Sequence, residues 1–334
     1  MLDIFDRIER DSGGPIGQYF SQAYGYYMYP RLEGELGPHM IFNGTEVLNW
    51  SLNNYLGLAN HPEVRKADAE AAAKWGLAYP MGARMLSGNT RYHEKLEKMF
   101  AEFEKKEDAF LYNFGYQGIV STIDALTARH DVIVYDAECH ACLLDGIRLH
   151  IGSKYKYRHN NIEDCEKVLA RACAEADANG GGVLLITEGV YGMTGALGIL
   201  DKIAALKKKY TFRFMIDDAH GFGLLGEHGR GTSEALHCMD EVDLISVRSL
   251  SLWLLSVDLS LVLTRLSTTS VRTCVHRCMR NHFLCRSLSV IPNFCKSSCH
   301  RKATNPARSA GLLPTLSRTV SGKKDSISER QRLA

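Results

Sequence analysis

Short apolar runs alternate with helical stretches from about residue 60 onward. The apolar runs cover residues 109–112, 132–135, 183–187 and 212–216, and Gly, Asp or Asn borders each on at least one side. Helical patterns cover residues 62–76, 93–107, 162–178 and 200–209; within 93–107, Leu96, Met99, Phe100 and Phe103 follow i, i+3, i+4, i+7 spacing. Buried strands alternating with helices predict an α/β fold with a mostly parallel sheet and helices on both faces.

Polar residues follow each predicted strand, where ligands gather in parallel α/β sheets. These segments are residues 113–117, 136–140, 188–192 and 217–220, and they include Gly115, His140, Glu188, Asp217 and His220. Taken singly, such residues also occur as turn glycines, helix caps and core hydrogen-bond partners. Four polar strand ends together predict a ligand site.

A glycine-rich stretch follows the last of these strands. Residues 217–231 read DDAHGFGLLGEHGRG, with five glycines in the last eleven positions. Because glycine loses more conformational freedom on folding than any other residue, such a loop is costly to order. So many glycines therefore indicate that the loop after Asp217 needs them for its structure or function.

Five motifs resemble those of the α-oxoamine synthases, in the family's order, within residues 20–245. They are SLNNYLGL, RMLSGNTRYHEKLE, DAECHACLLDG, TEGVYGMTG and IDDAHGFGLLGEHGRG. The segments MYPRLEGELGPHM and GLAYPMGARMLSG look most similar to bacterial serine palmitoyltransferase-type members. The resemblance implies a fold type I transferase that uses pyridoxal 5′-phosphate (PLP), with a seven-stranded-type sheet.

The resemblance also assigns cofactor roles to the polar strand ends. His140 would stack on the pyridine ring, and Asp217 would pair with the pyridinium nitrogen and keep it protonated. His220 would hydrogen-bond the 3-oxygen of the ring. The backbone amides of Gly115 and Tyr116 would hold the phosphate at a helix N-terminus.

Further roles follow from the same resemblance. Glu188 would support the ring-binding groups, and Asn53 and Arg84 lie in motifs that line the substrate side. Gly192 is a departure, since the family usually has Ser there, so that polar contact is absent or replaced. The implied substrates are an amino acid, serine or glycine, and an acyl-CoA. The implied assembly is a homodimer with its sites at the subunit interface.

The lysine that forms the Schiff base with PLP in this family is absent. The family continues with a motif like FGTFAKSLASIGGF, whereas residues 246–260 read SVRSLSLWLLSVDLS. No lysine occurs between Lys209 and Lys296. Rereading the codons of residues 246–260 one base earlier permits FGTFAKSLASIGGFV, so we hypothesise that residues 246–334 are translated out of frame.

Composition changes at the same place. Residues 1–245 hold 25 basic and 35 acidic side chains, a net charge of −10, whereas residues 246–334 hold 15 and 3, a net charge of +12. Five of the ten cysteines lie in this basic tail, but their spacing matches no common zinc finger. Few aromatic residues accompany the basic ones, so neither metal binding nor nucleic-acid binding is predicted.

The predicted organisation has three parts. Residues 1–50 form an N-terminal segment, residues 51–245 a large PLP-binding domain, and residues 246–334 an aberrant tail that is disordered or poorly packed. The family's small C-terminal domain is missing or replaced by this tail. Neither a signal peptide nor an apolar run long enough to span a membrane is recognised, so a cytoplasmic location is predicted.

The family resemblance predicts a decarboxylative condensation of serine with a long-chain acyl-CoA to a 3-oxo-sphingoid base. Glycine C-acetyltransferase and 8-amino-7-oxononanoate synthase are alternatives with related chemistry. A non-catalytic partner subunit is an alternative of a different class, and co-purification with a lysine-bearing paralogue would favour it. The glycine loop and the YLGL motif disfavour a plain aminotransferase. Without the lysine, this chain is predicted to be inactive and to bind PLP weakly and non-covalently.

Overall fold

A seven-stranded sheet forms the centre of the fold, and a small three-stranded antiparallel sheet precedes it along the chain. The structure is a computed structural model that describes residues 3–10, 20–76, 82–112, 114–247 and 259–263. The strands are Leu32–Glu33 (β1), His39–Phe42 (β2), Thr45–Leu48 (β3), Asp108–Tyr112 (β4), Val132–Asp136 (β5), Lys154–Tyr157 (β6), Val183–Glu188 (β7), Arg213–Asp217 (β8), Leu244–Val247 (β9) and Leu259–Leu263 (β10). The helices are Ile4–Arg10 (α1), Phe20–Ala23 (α2), Pro62–Trp75 (α3), Arg91–Phe103 (α4), Gly115–Leu126 (α5), Ala141–Leu149 (α6), Ile162–Asn179 (α7), Leu200–Ala205 (α8) and Thr232–Ala235 (α9).

The large sheet has the strand order β4-β10-β9-β8-β7-β5-β6. Strands β6, β5, β7, β8 and β9 are mutually parallel, and only β10 runs antiparallel, to both of its neighbours. The predicted α/β fold with a mostly parallel sheet is confirmed. All six residues of β7 and all four of β9 are buried, which explains why these strands read as continuous apolar runs.

The longest helix, α7, is delimited by its end residues as well as by its apolar face. The Asn161 side chain accepts a hydrogen bond from the Asp164 amide at 2.8 Å and so caps the first turn. Gly180 ends the helix in the left-handed conformation. The buried residues Cys165, Leu169, Ala172 and Ala176 recur at helical spacing and face the sheet core. The predicted helix over 162–178 agrees with these bounds to within one residue.

The helix predicted over residues 93–107 begins earlier and ends earlier than expected. The Thr90 hydroxyl accepts a hydrogen bond from the Tyr92 amide, so α4 starts at Arg91. At the other end, Lys105 has φ 52°, a backbone conformation that breaks the helix after Phe103. The chain then turns into β4, which lies at one edge of the sheet.

Helices α5 and α6 pack closely at Gly146, where the absence of a side chain on α6 leaves room for Ile123 and the backbone of α5. A Cβ atom there would lie 2.8 Å from the Ile123 side chain and 3.2 Å from Cα of Val120. Gly146 therefore lets the backbones of the two helices approach closely. This contact sets the relative position of the two helix N-termini, which begin at Gly115 and Ala141.

The sheet continues past the predicted domain boundary at residue 245. Ser246 and Val247 are the last residues of β9 and are buried. Leu259–Leu263 then pairs antiparallel with β4 on one side and β9 on the other. The end of β9 and Leu259–Leu263 belong to the backbone ladder of the sheet. The predicted poor packing of residues 246–334 stays a prediction. The other residues of the tail lie outside the described residues.

Membrane insertion by a helix has no support in the described part of the chain. None of the helices described combines the length and the apolar character needed to cross a bilayer.

Candidate active site

Two carboxylates mark the centre of the site, at the ends of neighbouring strands. Glu188 and Asp217 are paired residues in the parallel register of β7 and β8, and both are buried. The Glu188 carboxylate accepts a hydrogen bond from the backbone amide of His140, just before α6. The strand ends predicted to form a site therefore meet, with His140, Glu188 and Asp217 in one cluster.

His140 caps α6 with its own ring. Its Nδ1 accepts a hydrogen bond from the Cys142 amide at 3.2 Å, and the Cys142 Sγ lies 2.9 Å from the same nitrogen. Because Nδ1 is the acceptor, the neutral imidazole carries its proton on Nε2. The Tyr116 ring lies edge-on to the His140 ring, with centroids 6.4 Å apart.

Cys142 links His140 to Asp217 and was not singled out from the sequence. Its thiol is fully buried, and Sγ lies 4.0 Å from Asp217 Oδ2, within hydrogen-bonding range for sulfur. The other oxygen of Asp217 accepts the Ala219 amide at 3.1 Å. The only sequence signal for Cys142 is its place in the DAECHACLLDG motif, two residues after His140.

His220 is joined to the N-terminal part of the chain through Tyr55. The Tyr55 hydroxyl lies 2.8 Å from His220 Nδ1, and it also donates a long hydrogen bond to Asn53 Oδ1 at 3.4 Å. Asn53 was predicted on the substrate side, and the structure places it one contact away from His220. Tyr55 was missed, although it belongs to the same SLNNYLGL motif.

The glycine-rich loop is built around the side chain of Asp218. This carboxylate is fully buried and accepts hydrogen bonds from the Thr232 amide and hydroxyl, both at 2.6 Å. Cβ atoms at Gly189, Gly221 and Gly231 would lie 2.0, 2.2 and 1.9 Å from its oxygens. Burial raises the pKa of Asp218 to about 6. These three glycines leave the space that the Asp218 carboxylate occupies.

Gly115 and Tyr116 form the first turn of α5, as the predicted phosphate site requires. Phe114 precedes the helix and its side chain forms no capping hydrogen bond. The amides of the first turn therefore point out of the helix end and receive no cap from Phe114. The Tyr116 hydroxyl donates to the Asp145 carboxylate of α6. This bond raises the pKa of Tyr116 and ties the two helix N-termini together a second time.

Arg84 is held in a different place by structural contacts. Its guanidinium donates to Glu97 at 2.6 Å, to the Leu111 carbonyl at 2.9 Å and to Asn89 at 2.7 Å. It also lies over the Phe110 ring, 4.4 Å from the centroid. These contacts join α4 to β4 and are not directed to His140, Asp217 or His220. The predicted role of Arg84 in substrate binding stays a prediction.

The described residues do not form a metal-binding site. No group of three His, Cys, Asp or Glu side chains within the described ranges is arranged to hold a metal ion. The polar groups of the site are instead the buried carboxylates of Glu188 and Asp217, the less buried imidazoles of His140 and His220, and helix-end amides.

Comparison with known proteins identifies the family. Residues 45–252 match the family model of class I and II aminotransferases. The chain is 59% identical over 243 residues to a cysteate-C-fatty acyltransferase from Capnocytophaga ochracea, which covers 73% of this chain and 58% of that protein. It is 39% identical over 214 residues to an 8-amino-7-oxononanoate synthase from Thermoanaerobacter pseudethanolicus, with coverages of 64% and 53%. The fold is similar to that of Sphingomonas wittichii serine palmitoyltransferase, with TM-score 0.72 and 27% identity over 83% of this chain and 67% of that one.

The chain therefore belongs to the class I and II aminotransferase family, in its α-oxoamine synthase group. It spans little more than half the length of these two curated relatives. Pyridoxal 5′-phosphate is the cofactor of this family. The predicted family, fold and cofactor are thus confirmed.

The residues at the strand ends fit PLP as a non-covalently held group. Asp217 offers a buried carboxylate of the kind that stabilises a protonated pyridine nitrogen, and His140 offers a planar ring whose Nδ1 accepts the Cys142 amide. The first turn of α5 offers backbone amides to a phosphate. The amine for a covalent link does not follow β9, because no lysine occurs between Lys209 and Lys296.

Proposed function

We propose that this chain derives from a PLP-dependent acyl-CoA:amino-acid C-acyltransferase and keeps the cofactor-binding half of its site. The pairing of Glu188 with Asp217 beside His140 supports this proposal, because these three residues lie where ligands gather in parallel sheets. PLP, when bound, supplies an electron-withdrawing ring that stabilises negative charge at the amino-acid Cα. The family gives the reaction type, a condensation with loss of carbon dioxide.

Each residue of the cluster has a distinct task in this proposal. Asp217 holds a proton on the pyridine nitrogen, and its burial strengthens that interaction. His140 lies against the ring face, and Glu188 holds the backbone of His140 in place by accepting its amide proton. His220 contacts the 3-oxygen of the ring, and the amides of Gly115 and Tyr116 hold the phosphate.

The amino-acid substrate is proposed to be short and polar or anionic. The relative at 59% identity is named for cysteate, and the structural neighbour is named for serine. Serine and cysteate share the same backbone and differ in a hydroxyl or sulfonate on Cβ. We therefore place both ahead of glycine, with a fatty acyl-CoA as the second substrate. The product is then a 3-oxo-sphingoid base or its sulfonated counterpart. An 8-amino-7-oxononanoate synthase activity is the alternative, since relatives of that name are also similar.

The chain as written is proposed to lack turnover. The family-model match ends at residue 252, close to the point where the reading frame is hypothesised to change. In this proposal the lysine codon is still present in the gene but is read in the wrong frame. The lysine has not been substituted by another residue in the course of evolution. Sequencing the gene across codon 245 tests this directly. An uninterrupted frame, with no neighbouring frame that encodes FGTFAKSLASIGGFV, would exclude it.

Titration of the full chain with PLP tests the proposed site. We expect reversible binding that dialysis removes and borohydride does not trap, with a Kd at least tenfold weaker in Asp217→Ala. Asp177→Ala, which removes an exposed carboxylate on α7, is the control and leaves the Kd unchanged. Equal binding by Asp217→Ala and the parent would reject the assignment of the ring nitrogen to Asp217.

Assembly and location complete the proposal. A homodimer is expected from the family resemblance, and sedimentation of the purified chain measures it. A cytoplasmic location is likewise proposed, and cell fractionation tests it. A lysine-bearing paralogue that co-purifies with the chain would favour the non-catalytic partner role instead.

A further inference from the structure

The imidazole of His220 is held between two residues from distant parts of the chain. On one side, the Tyr55 hydroxyl lies 2.8 Å from Nδ1. On the other side, a Cβ atom built on Gly192 would lie 2.5 Å from Nε2 and 2.9 Å from Cδ2. The ring therefore fills the volume that any side chain at position 192 would need.

Gly192 is demanded by this contact and not by backbone conformation. Its φ angle lies outside the left-handed region, so a larger residue is tolerated by the backbone. The nearest atoms to its ideal Cβ belong to the His220 side chain, so a side chain at position 192 would have to displace that imidazole. A serine at position 192 would thus be accommodated by moving His220 away from Tyr55.

We propose that Tyr55 and Gly192 are positioning residues for His220. Tyr55 holds Nδ1 through a hydrogen bond, and Gly192 provides the space in which Nε2 lies. The pair sets which ring nitrogen is presented to a ligand and at what angle. This inference deepens the proposed function, on which it rests, because the ligand is the oxygen-bearing edge of the PLP ring.

Two single variants and one background test the inference. Tyr55→Phe removes the hydroxyl and keeps the aromatic ring, whereas Gly192→Ser adds a side chain that collides with His220. Tyr27→Phe, at an exposed tyrosine, and Gly37→Ser, where a Cβ meets only the Glu35 carbonyl at 4.0 Å, are the matched controls. His220→Ala removes the imidazole, so in this background Tyr55 and Gly192 have no ring to position.

The dissociation constant for PLP is measured for the full chain and each variant. Tyr55→Phe and Gly192→Ser are each expected to raise the Kd by about tenfold, as the loss of one well-placed hydrogen bond does. In the His220→Ala background, the same two changes are expected to alter the Kd by less than about twofold. If both changes weaken binding equally with and without His220, Tyr55 and Gly192 act in some other way and the inference is overturned.

A second readout keeps the two proposals separate. In the PLP-free chain, the ¹⁵N NMR signal of His220 Nδ1 is expected to shift in Tyr55→Phe and in Gly192→Ser, and to stay unchanged in the controls. Absence of PLP binding to the parent chain would reject the proposed function without deciding the positioning role. An unshifted Nδ1 signal in Tyr55→Phe would reject the positioning role whether or not PLP binds.

Discussion

Glu104 is a fully buried carboxyl group whose charged form is disfavoured first by burial and then by the negative charge of Asp218. Together these effects raise the pKa of Glu104 to about 8. Neither of its oxygens has a hydrogen-bond partner among the described residues. The carboxyl group of Glu104, near Asp218 of the glycine-rich loop, is therefore protonated at neutral pH.

Glu104 predicts a loss of stability as the pH rises. In the unfolded chain its pKa is near 4.5, and in the folded protein it is about 8, so the folded state holds one more proton between these values. Stability is fully present below pH 4.5 and falls as the pH rises toward 8, by a few kcal/mol at most. Glu104→Gln removes this dependence and is expected to be more stable than the parent at pH 8. Urea unfolding at pH 6.5 and 8.5 measures the effect.

The control and the choice of pH separate Glu104 from its neighbour. Asp218 has the same sign of effect, but its pKa of about 6 places its contribution at lower pH. Glu102→Gln changes an exposed carboxylate two residues before Glu104 and should keep the parent's pH dependence. Parallel curves for the parent and Glu104→Gln would show that Glu104 does not titrate in this range.

The fit between Asp218 and Gly221 predicts a coupled pair of mutations. Gly221→Ala places a methyl group 2.2 Å from Asp218 Oδ1 and is expected to lower the free energy of unfolding by about 3 kcal/mol. In the Asp218→Ala background, the same change should be less harmful by about 1 kcal/mol or more, because part of the collision is gone. Urea unfolding of the four proteins gives the coupling energy. A value near zero would contradict the packing of the loop around this carboxylate.

The buried ion pair of Arg84 and Glu97 predicts a structural role that can be distinguished from substrate binding. Arg84→Ala leaves Glu97 without its cation at a site where both side chains are only 12% exposed, so a loss of about 3–5 kcal/mol in unfolding free energy is expected. Replacing both residues by methionine should restore much of that stability, since no unpaired charge remains. Arg65→Ala breaks an exposed pair with Glu35 and should cost less than about 1 kcal/mol. Equal stabilities of Arg84→Ala and Arg65→Ala would reject this structural role of Arg84.

The position of β10 predicts that a proline there is harmful. Leu261 pairs with Phe110 of β4 on one side and with Ser246 of β9 on the other. Proline at this position removes the backbone N–H and is expected to lower the free energy of unfolding by about 3 kcal/mol. Leu261→Ala keeps the N–H, so the difference between the two variants isolates the backbone contribution. Chemical denaturation followed by circular dichroism measures both, and equal stabilities would argue against the strand.

The parallel sheet was predictable because its strands are buried on both faces. β7 and β9 therefore read as uninterrupted apolar runs, and the polar residues that follow β5, β7 and β8 stand out against them. The strand ends Glu188 and Asp217 could be placed together because carboxyl ends of parallel strands share one edge of the sheet. Sequence reasoning recovered the part of the site that follows from this periodicity.

Other parts of the site depend on contacts between residues far apart in sequence. Tyr55 and His220 are separated by 165 positions, and no local pattern indicates that they touch. The cage around Asp218 is made by Gly189, Gly221 and Gly231, so the glycines could be counted beforehand but their common neighbour could not be named. Arg84 lay in a family motif, yet the nearness of Glu97 decides where its guanidinium goes.

The absence of a side chain at Gly146 has a consequence for ligand recognition. Because α5 packs directly on Gly146 of α6, the helix that starts at Gly115 and the helix that His140 caps are in close contact. A ligand that contacts both helix N-termini therefore has to match the distance between them.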